Sequence, residues 1–162
     1  MTVCEEVKNK TDNKCEKSPQ ELCDFNTLTF GRLRIPTIIP RELIEAVKGK
    51  TFTVDQFYDY HIENVGNPNN LLYALTDDSK KIHGFIWAEL NALDHSLFVN
   101  TFSVNKEYWG KGKAIPRVIK FLDNIKKIYH CPRVFWCTTN EKFFIKHGFH
   151  KSRISLMEYN SN

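Results

Sequence analysis

The chain has 162 residues, with 23 lysines and arginines against 19 aspartates and glutamates, a net charge of +4, 41% hydrophobic and 26% charged residues. That length suits one domain burying about 70% of its unfolded surface, and the composition excludes a disordered or collagen-like chain. No apolar run is long enough to cross a membrane, and from five cysteines without a CxxC pair neither a disulfide framework nor a zinc cluster reads out.

Residues 1–24 are polar and charged and predict a flexible N-terminal tail, leaving 25–162 as a single domain. The opening Met1-Thr-Val-Cys-Glu-Glu6 lacks the basic and apolar regions of a secretion signal, so a cytoplasmic protein is expected. Loose alternation of Leu28, Phe30, Leu33 and Ile35 predicts a first strand over 25–35. Pro40 and Gly49 bracket a short helix, and Val54, Phe57, Tyr58, Ile62 and Val65 form the stripe of a second.

Strands follow over 71–75, 82–90 and 97–104, the first two joined by a turn at 77–81. A helix then carries Ile115, Val118, Ile119, Leu122, Ile125 and Tyr129 at helical spacing. Pro116 is tolerated only in its first turn, which puts the start near Lys113, and Pro132 stops it. A strand over 133–137, a helix begun by Thr139 or Asn140 and ended by Gly148, and a last strand over 149–159 complete the order. Hairpins in the first half and strand–helix–strand passages in the second predict an α/β fold of the α+β, three-layer kind: a mixed central sheet with helices on both faces.

Between the 97–104 strand and its helix lies a turn holding Gly110 and Gly112, flanked by Lys111 and Lys113. Strand, glycine turn and helix start aim backbone N–H groups and a positive helix end at one point, which suits an anion such as phosphate. An ordinary strand-to-helix turn has the same outline, and spacing alone leaves both readings open.

The run Val104-Asn-Lys-Glu-Tyr-Trp-Gly-Lys-Gly-Lys-Ala114 resembles the acyl-CoA pyrophosphate loop of the GNAT N-acetyltransferase superfamily, V-x-P-x-[YF]-[RQ]-G-x-G-x-[GA]. Val104, Tyr108, Gly110, Gly112 and Ala114 match; Lys106 replaces Pro, and Trp109 replaces Arg or Gln. Downstream, Asn140-Glu-Lys-Phe-Phe-Ile-Lys-His-Gly-Phe149 is similar to the family's closing [YF]-x-x-x-G-F block. The resemblance implies direct transfer of an acetyl group from acetyl-CoA, without a metal, to a primary amine on a small molecule or protein. It is compatible with a homodimer.

It also implies that the strand before the loop splays from its parallel neighbour to admit the pantetheine arm. Phe102, Val104, Trp109, Gly110, Lys111, Gly112, Lys113, Ala114, Asn140 and Phe144 then become the acyl-CoA contacts, with Lys142 or Lys146 near the 3′-phosphate and the backbone of 100–102 orienting the acyl group. Leu97, Phe98 and Asn100 stand where a strand carboxylate is common, so a base is sought among His95, Glu89, Asp94, His61 and Glu63. Phe144 stands where Tyr is common, so the acid falls to Tyr129, Tyr108 or water. These two departures favour the alternative, a catalytically weak GNAT-fold binding or assembly protein. Nucleic acid as a partner rests only on the net charge and on Lys113, Arg117, Lys120 and Lys127, a stripe that reads as a solvated face.

Overall fold

The alternating side chains of the central strands are buried in both directions, and this sets the architecture. In a computed structural model, which describes residues 23–138 and 140–153, β2 (Asn70–Thr76) and β3 (Ile82–Leu90) are almost continuously buried. Leu72, Ala74 and Phe85 point to one face, against Leu43 and Ile44 of α1 (Arg41–Glu45) and Val54 and Phe57 of α2 (Val54–Glu63). Leu71, Ile86 and Ala88 point to the other, where Val118, Leu122 and Ile125 of α3 (Ala114–Tyr129) cover them. A strand covered on both faces reads as an apolar run rather than as alternation.

The sheet has the order β1-β2-β3-β4-β5, with β1 at Thr29–Arg32, β4 at Leu97–Val104 and β5 at Val134–Trp136. All neighbours are antiparallel except β4 and β5, which are parallel and connected through α3. The mixed, doubly covered sheet is the one expected. The first strand is shorter than 25–35, because Phe25–Thr27 forms a 3₁₀ turn capped by the Asp24 carboxylate. Residues 149–153 form no strand, and the rest of that expected strand lies outside the described residues, as does the expected tail apart from Cys23 and Asp24.

The helix ends have local reasons: α2 begins at Val54, as its stripe predicts, and ends at Glu63 short of Val65, while α3 ends at Tyr129. A capping box of Thr53 and Gln56 starts α2, each side chain satisfying the other's backbone N–H. The third helix stops before Pro132: His130 takes a left-handed backbone, φ 54°, and the Cys131 N–H closes on the Lys126 carbonyl at 2.9 Å. The basic stripe of α3 is also less free than it reads. Arg117 donates to the carbonyl of Phe25 and stacks over its ring, tying the start of the domain to the helix.

One irregularity positions everything that follows. Ala88 pairs with Val99 but Trp87 with Thr101, so Asn100 is an extra residue in β4, a bulge. The bulge switches faces along the strand: Leu97 and Val99 lie in the α3 cluster, whereas beyond it Phe102 packs there and Ser103 donates to the Leu43 carbonyl on the α1 side. The β4–β5 ladder runs only from Leu97 to Val99. Past the bulge the two strands part.

Candidate functional site

The parting leaves a cleft of about 900 Å³ floored by residues 100–104 of β4. Trp136, Cys137 and Thr138 form one wall, with Phe143 and Phe144 of α4 (Glu141–Lys146) beside them. Gly110, Gly112, Ala114 and Ile115 close one end, and residues 46–49 after α1 line the rim.

At the glycine end, a 3₁₀ turn at Lys106–Tyr108 intervenes between strand and glycines. Tyr108 is buried and donates its hydroxyl to the Cys23 carbonyl at 3.0 Å; the Trp109 indole donates to the Val104 carbonyl at 2.9 Å. The Lys48 ammonium lies 5.7 Å from the centre of the Trp109 ring. Gly110 and Gly112 have φ of 70° and 65°, yet a Cβ at either would meet nothing within 4 Å. Backbone conformation, rather than crowding, therefore favours glycine here. Lys113 at the N-cap of α3 provides no side-chain hydrogen bond, and the first turn holds no acidic residue. The first amides of a 16-residue helix are left to face an anion.

The other end is organised around Glu89. The Tyr60 hydroxyl of α2 donates to one carboxylate oxygen, and the Asn100 amide donates to the other at 2.7 Å. Burial, and then the carboxylate itself, push the Tyr60 pKa up to about 12, so it remains a donor throughout the physiological range. Glu89 does not line the cleft; Asn100 does, and stands between. Across the strand pair from Glu89 lies the part-exposed Phe98, stacked on Phe135 at 4.9 Å.

Beneath this cluster, the Trp87 indole can only donate, and it reaches Asn70 Oδ1 at 3.0 Å. The Asn70 amide nitrogen must then donate to His61 Nδ1, also at 3.0 Å, which leaves the imidazole proton on Nε2. Nε2 is buried without a partner among the described residues, and burial lowers the His61 pKa to about 4. His61 is thus a neutral core histidine outside the cleft, not a candidate base.

The remaining expected residues divide by position. Phe102, Val104, Trp109, Gly110, Gly112, Ala114, Asn140 and Phe144 all line the cleft. Lys111 and Lys113 are exposed on the glycine loop, and Lys142 and Lys146 are exposed on α4; none of the four lines it. His95 is exposed in the β3–β4 turn with φ 57°, before β4 begins and away from the opening. Tyr129 accepts from Arg32 at 2.9 Å and ends α3, about 22 Å along the helix from Ala114. Asp94 is engaged by Ser96 and Arg133, which hold its carboxyl below the ordinary range, and Glu63 is exposed on α2. Of His95, Glu89 and Tyr129, Glu89 alone stands next to the cleft, whereas Tyr108 lines it with its hydroxyl committed to the Cys23 carbonyl. Tyr60 and Lys48 carried no signal in the sequence; Asn100 did, as a polar residue interrupting an apolar strand.

No family model matches the sequence, and no curated protein matches it. Solved structures do. An aminoglycoside 6′-N-acetyltransferase from Acinetobacter baumannii aligns at TM-score 0.61 and 13% identity, over 83% of this chain and 99% of that one. The spermidine/spermine N-acetyltransferase of Vibrio cholerae aligns at 0.60 and 18%, over 75% and 76%. The glucosamine-6-phosphate N-acetyltransferase of Arabidopsis thaliana aligns at 0.57 and 19%, over 83% and 99%.

Proposed function

We propose that this chain, which has the GNAT acetyltransferase fold, is an acetyl-CoA-dependent N-acetyltransferase acting on a primary amine. The observation that carries the reading is the parting of β4 from β5 beyond Asn100, in line with the glycine turn and the uncapped start of α3. The amides from Gly110 to Ala114 suit a pyrophosphate, and the open space around both glycines leaves room for one. Lys111 and Lys113 add charge at the mouth, and the apolar walls at Phe102, Trp136 and Phe144 suit a pantetheine arm. Acetyl-CoA supplies the activated acyl thioester.

The protein's own work concerns the amine. At pH 7 an alkylammonium of pKa about 10.4 is neutral in roughly one molecule in 2,500, so a base must take its proton. In this reading Glu89, held by Tyr60 and Asn100 beside the cleft, takes the proton by a water relay past Asn100. The Phe98–Phe135 stack beside it offers an apolar surface to the carbon skeleton of an acceptor. No acid is required on the departing side, because a thiol of pKa about 8.5 leaves readily as its thiolate. This is consistent with Phe144 in the cleft and with a Tyr108 hydroxyl already committed to Cys23.

The test is calorimetry with acetyl-CoA, followed by release of free thiol in the presence of polyamines, aminoglycosides, amino sugars and lysine peptides. Saturable binding with amine-dependent release supports the reading; failure to bind acetyl-CoA overturns it. Binding without release from any amine would favour the second reading, a non-catalytic module, for which Phe144 and the set-back position of Glu89 speak.

A further inference from the structure

Three ligand-bearing side chains converge away from the cleft, and the proposed transfer uses none of them. Cys23 precedes the first 3₁₀ turn, Asp77 begins the β2–β3 turn, and His83 lies on β3. Their ligand atoms all lie within 4.8 Å of one another. We propose that Cys23, Asp77 and His83 form a zinc site with a fourth position open to water.

The arrangement around each donor supports this. Asp77 uses one carboxylate oxygen for its own turn, accepting from Ser79 Oγ at 2.7 Å and from the Lys81 N–H at 3.0 Å. That fixes the other oxygen, Oδ2, which faces His83 Nε2 at 2.8 Å and the Cys23 thiol at 3.9 Å. The His83 side chain is 6% exposed and that of Asp77 11%, so the pair is held out of bulk water. On its far side, His83 Nδ1 lies 3.5 Å from the Asn105 side-chain amide and the ring is edge-on to Tyr108; turning that amide over would present its oxygen to the Nδ1–H of a liganding imidazole. Cys23 is exposed but anchored, since Tyr108 holds its carbonyl.

Tetrahedral zinc, with bonds of about 2.0–2.1 Å to nitrogen and oxygen and 2.3 Å to sulfur, separates N from O by roughly 3.3 Å and S from O by roughly 3.6 Å. The observed 2.8 and 3.9 Å differ from these by about 0.5 and 0.3 Å. Rotation of the exposed Cys23 side chain closes the second difference, and the first asks the hydrogen-bonded His83–Asp77 pair to open by about 0.5 Å as the metal takes the place of the proton between them. One soft, one intermediate and one hard donor together suit zinc better than magnesium or calcium, which take oxygen alone. Loading the site would release the thiol proton, leave the imidazole proton on Nδ1 rather than on the Nε2 facing Asp77, and tie the segment at Cys23 to the β2–β3 turn.

The full-length protein, kept reduced by a phosphine, is titrated with Co²⁺ as a spectroscopic probe and then with Zn²⁺ against a chromogenic chelator. One equivalent of Co²⁺ is expected to give tetrahedral visible bands with a thiolate charge-transfer band, displaced by Zn²⁺. Cys23→Ser is expected to abolish the charge-transfer band and weaken Zn²⁺ at least tenfold, and Asp77→Asn to weaken it similarly, with circular dichroism unchanged for both. Cys4→Ser and Cys15→Ser are expected to leave both signals intact. Absence of saturable binding overturns the proposal, as does a charge-transfer band that survives Cys23→Ser or vanishes with either of the other two cysteines.

Discussion

The two ends of the cleft are built from different materials. At the glycine end, the groups offered to a ligand are backbone amides from one contiguous stretch, Gly110 to Ala114, and the side chains around them are exposed. At the Glu89 end, three side chains from β3, α2 and β4 meet, and each depends on the others for its position. A backbone site does not depend on the side chains beside it, so Trp109 in place of Arg or Gln leaves the amides after it where they are. A side-chain site does not, because removing one partner leaves a part-buried carboxylate or hydroxyl unsatisfied.

The sharpest way to break this contrast is Glu89→Gln. With Glu89 as base, kcat/KM for the amine falls by roughly 10²–10⁴ while affinity for acetyl-CoA is unchanged. A matching loss of acetyl-CoA affinity would mean that the two ends do not work separately. Next in size is the pH dependence of the layer beneath Glu89. His61 has a pKa of about 4 in the folded protein against 6.5 unfolded. Between those values the unfolded chain binds the extra proton, so stability is complete above pH 6.5 and falls by about 3 kcal/mol as pH drops to about 4. Urea unfolding at pH 7, 5.5 and 4.5 should show that slope in the wild type and not in His61→Gln.

A smaller effect is expected at the glycine end. Gly112→Val forces a β-branched residue into the left-handed region at about 1–2 kcal/mol, so acetyl-CoA affinity weakens roughly 5- to 30-fold. Calorimetry measures it, and an unchanged affinity would remove the glycine turn from the binding site. The smallest is a control remote from both ends: His130→Gly relieves a left-handed cap and raises stability by about 1 kcal/mol in thermal unfolding, leaving binding and turnover alone.

Much of the framework was legible because it is periodic. Strands β3 and β4 fall where the apolar runs begin and end, and α3 starts one residue after Lys113 because Pro116 fits only a first turn. The glycine turn was legible because its chemistry is local: two glycines, a feeding strand and a helix start are adjacent in sequence. The acid–base reading was harder. His95 and Tyr129 have suitable chemistry, but His95 sits in the turn before β4 and Tyr129 is the last residue of α3, at the ends away from the opening. His61 sat on the apolar stripe of α2, and burial there removes the basicity that made it attractive.

Pattern along the chain thus settled the order of elements from β2 to α4, the doubly covered sheet and the glycine turn at Gly110 and Gly112, since each depends on residues a few positions apart. Folding alone decided which carboxylate stands behind the cleft wall, where β4 parts from β5, and that Cys23 stands beside Asp77 and His83. Those outcomes turn on one extra residue at Asn100 and on contacts between positions tens of residues apart, as in the 54-residue separation of Cys23 and Asp77. No local periodicity encodes such meetings; they exist only once the sheet has set its register.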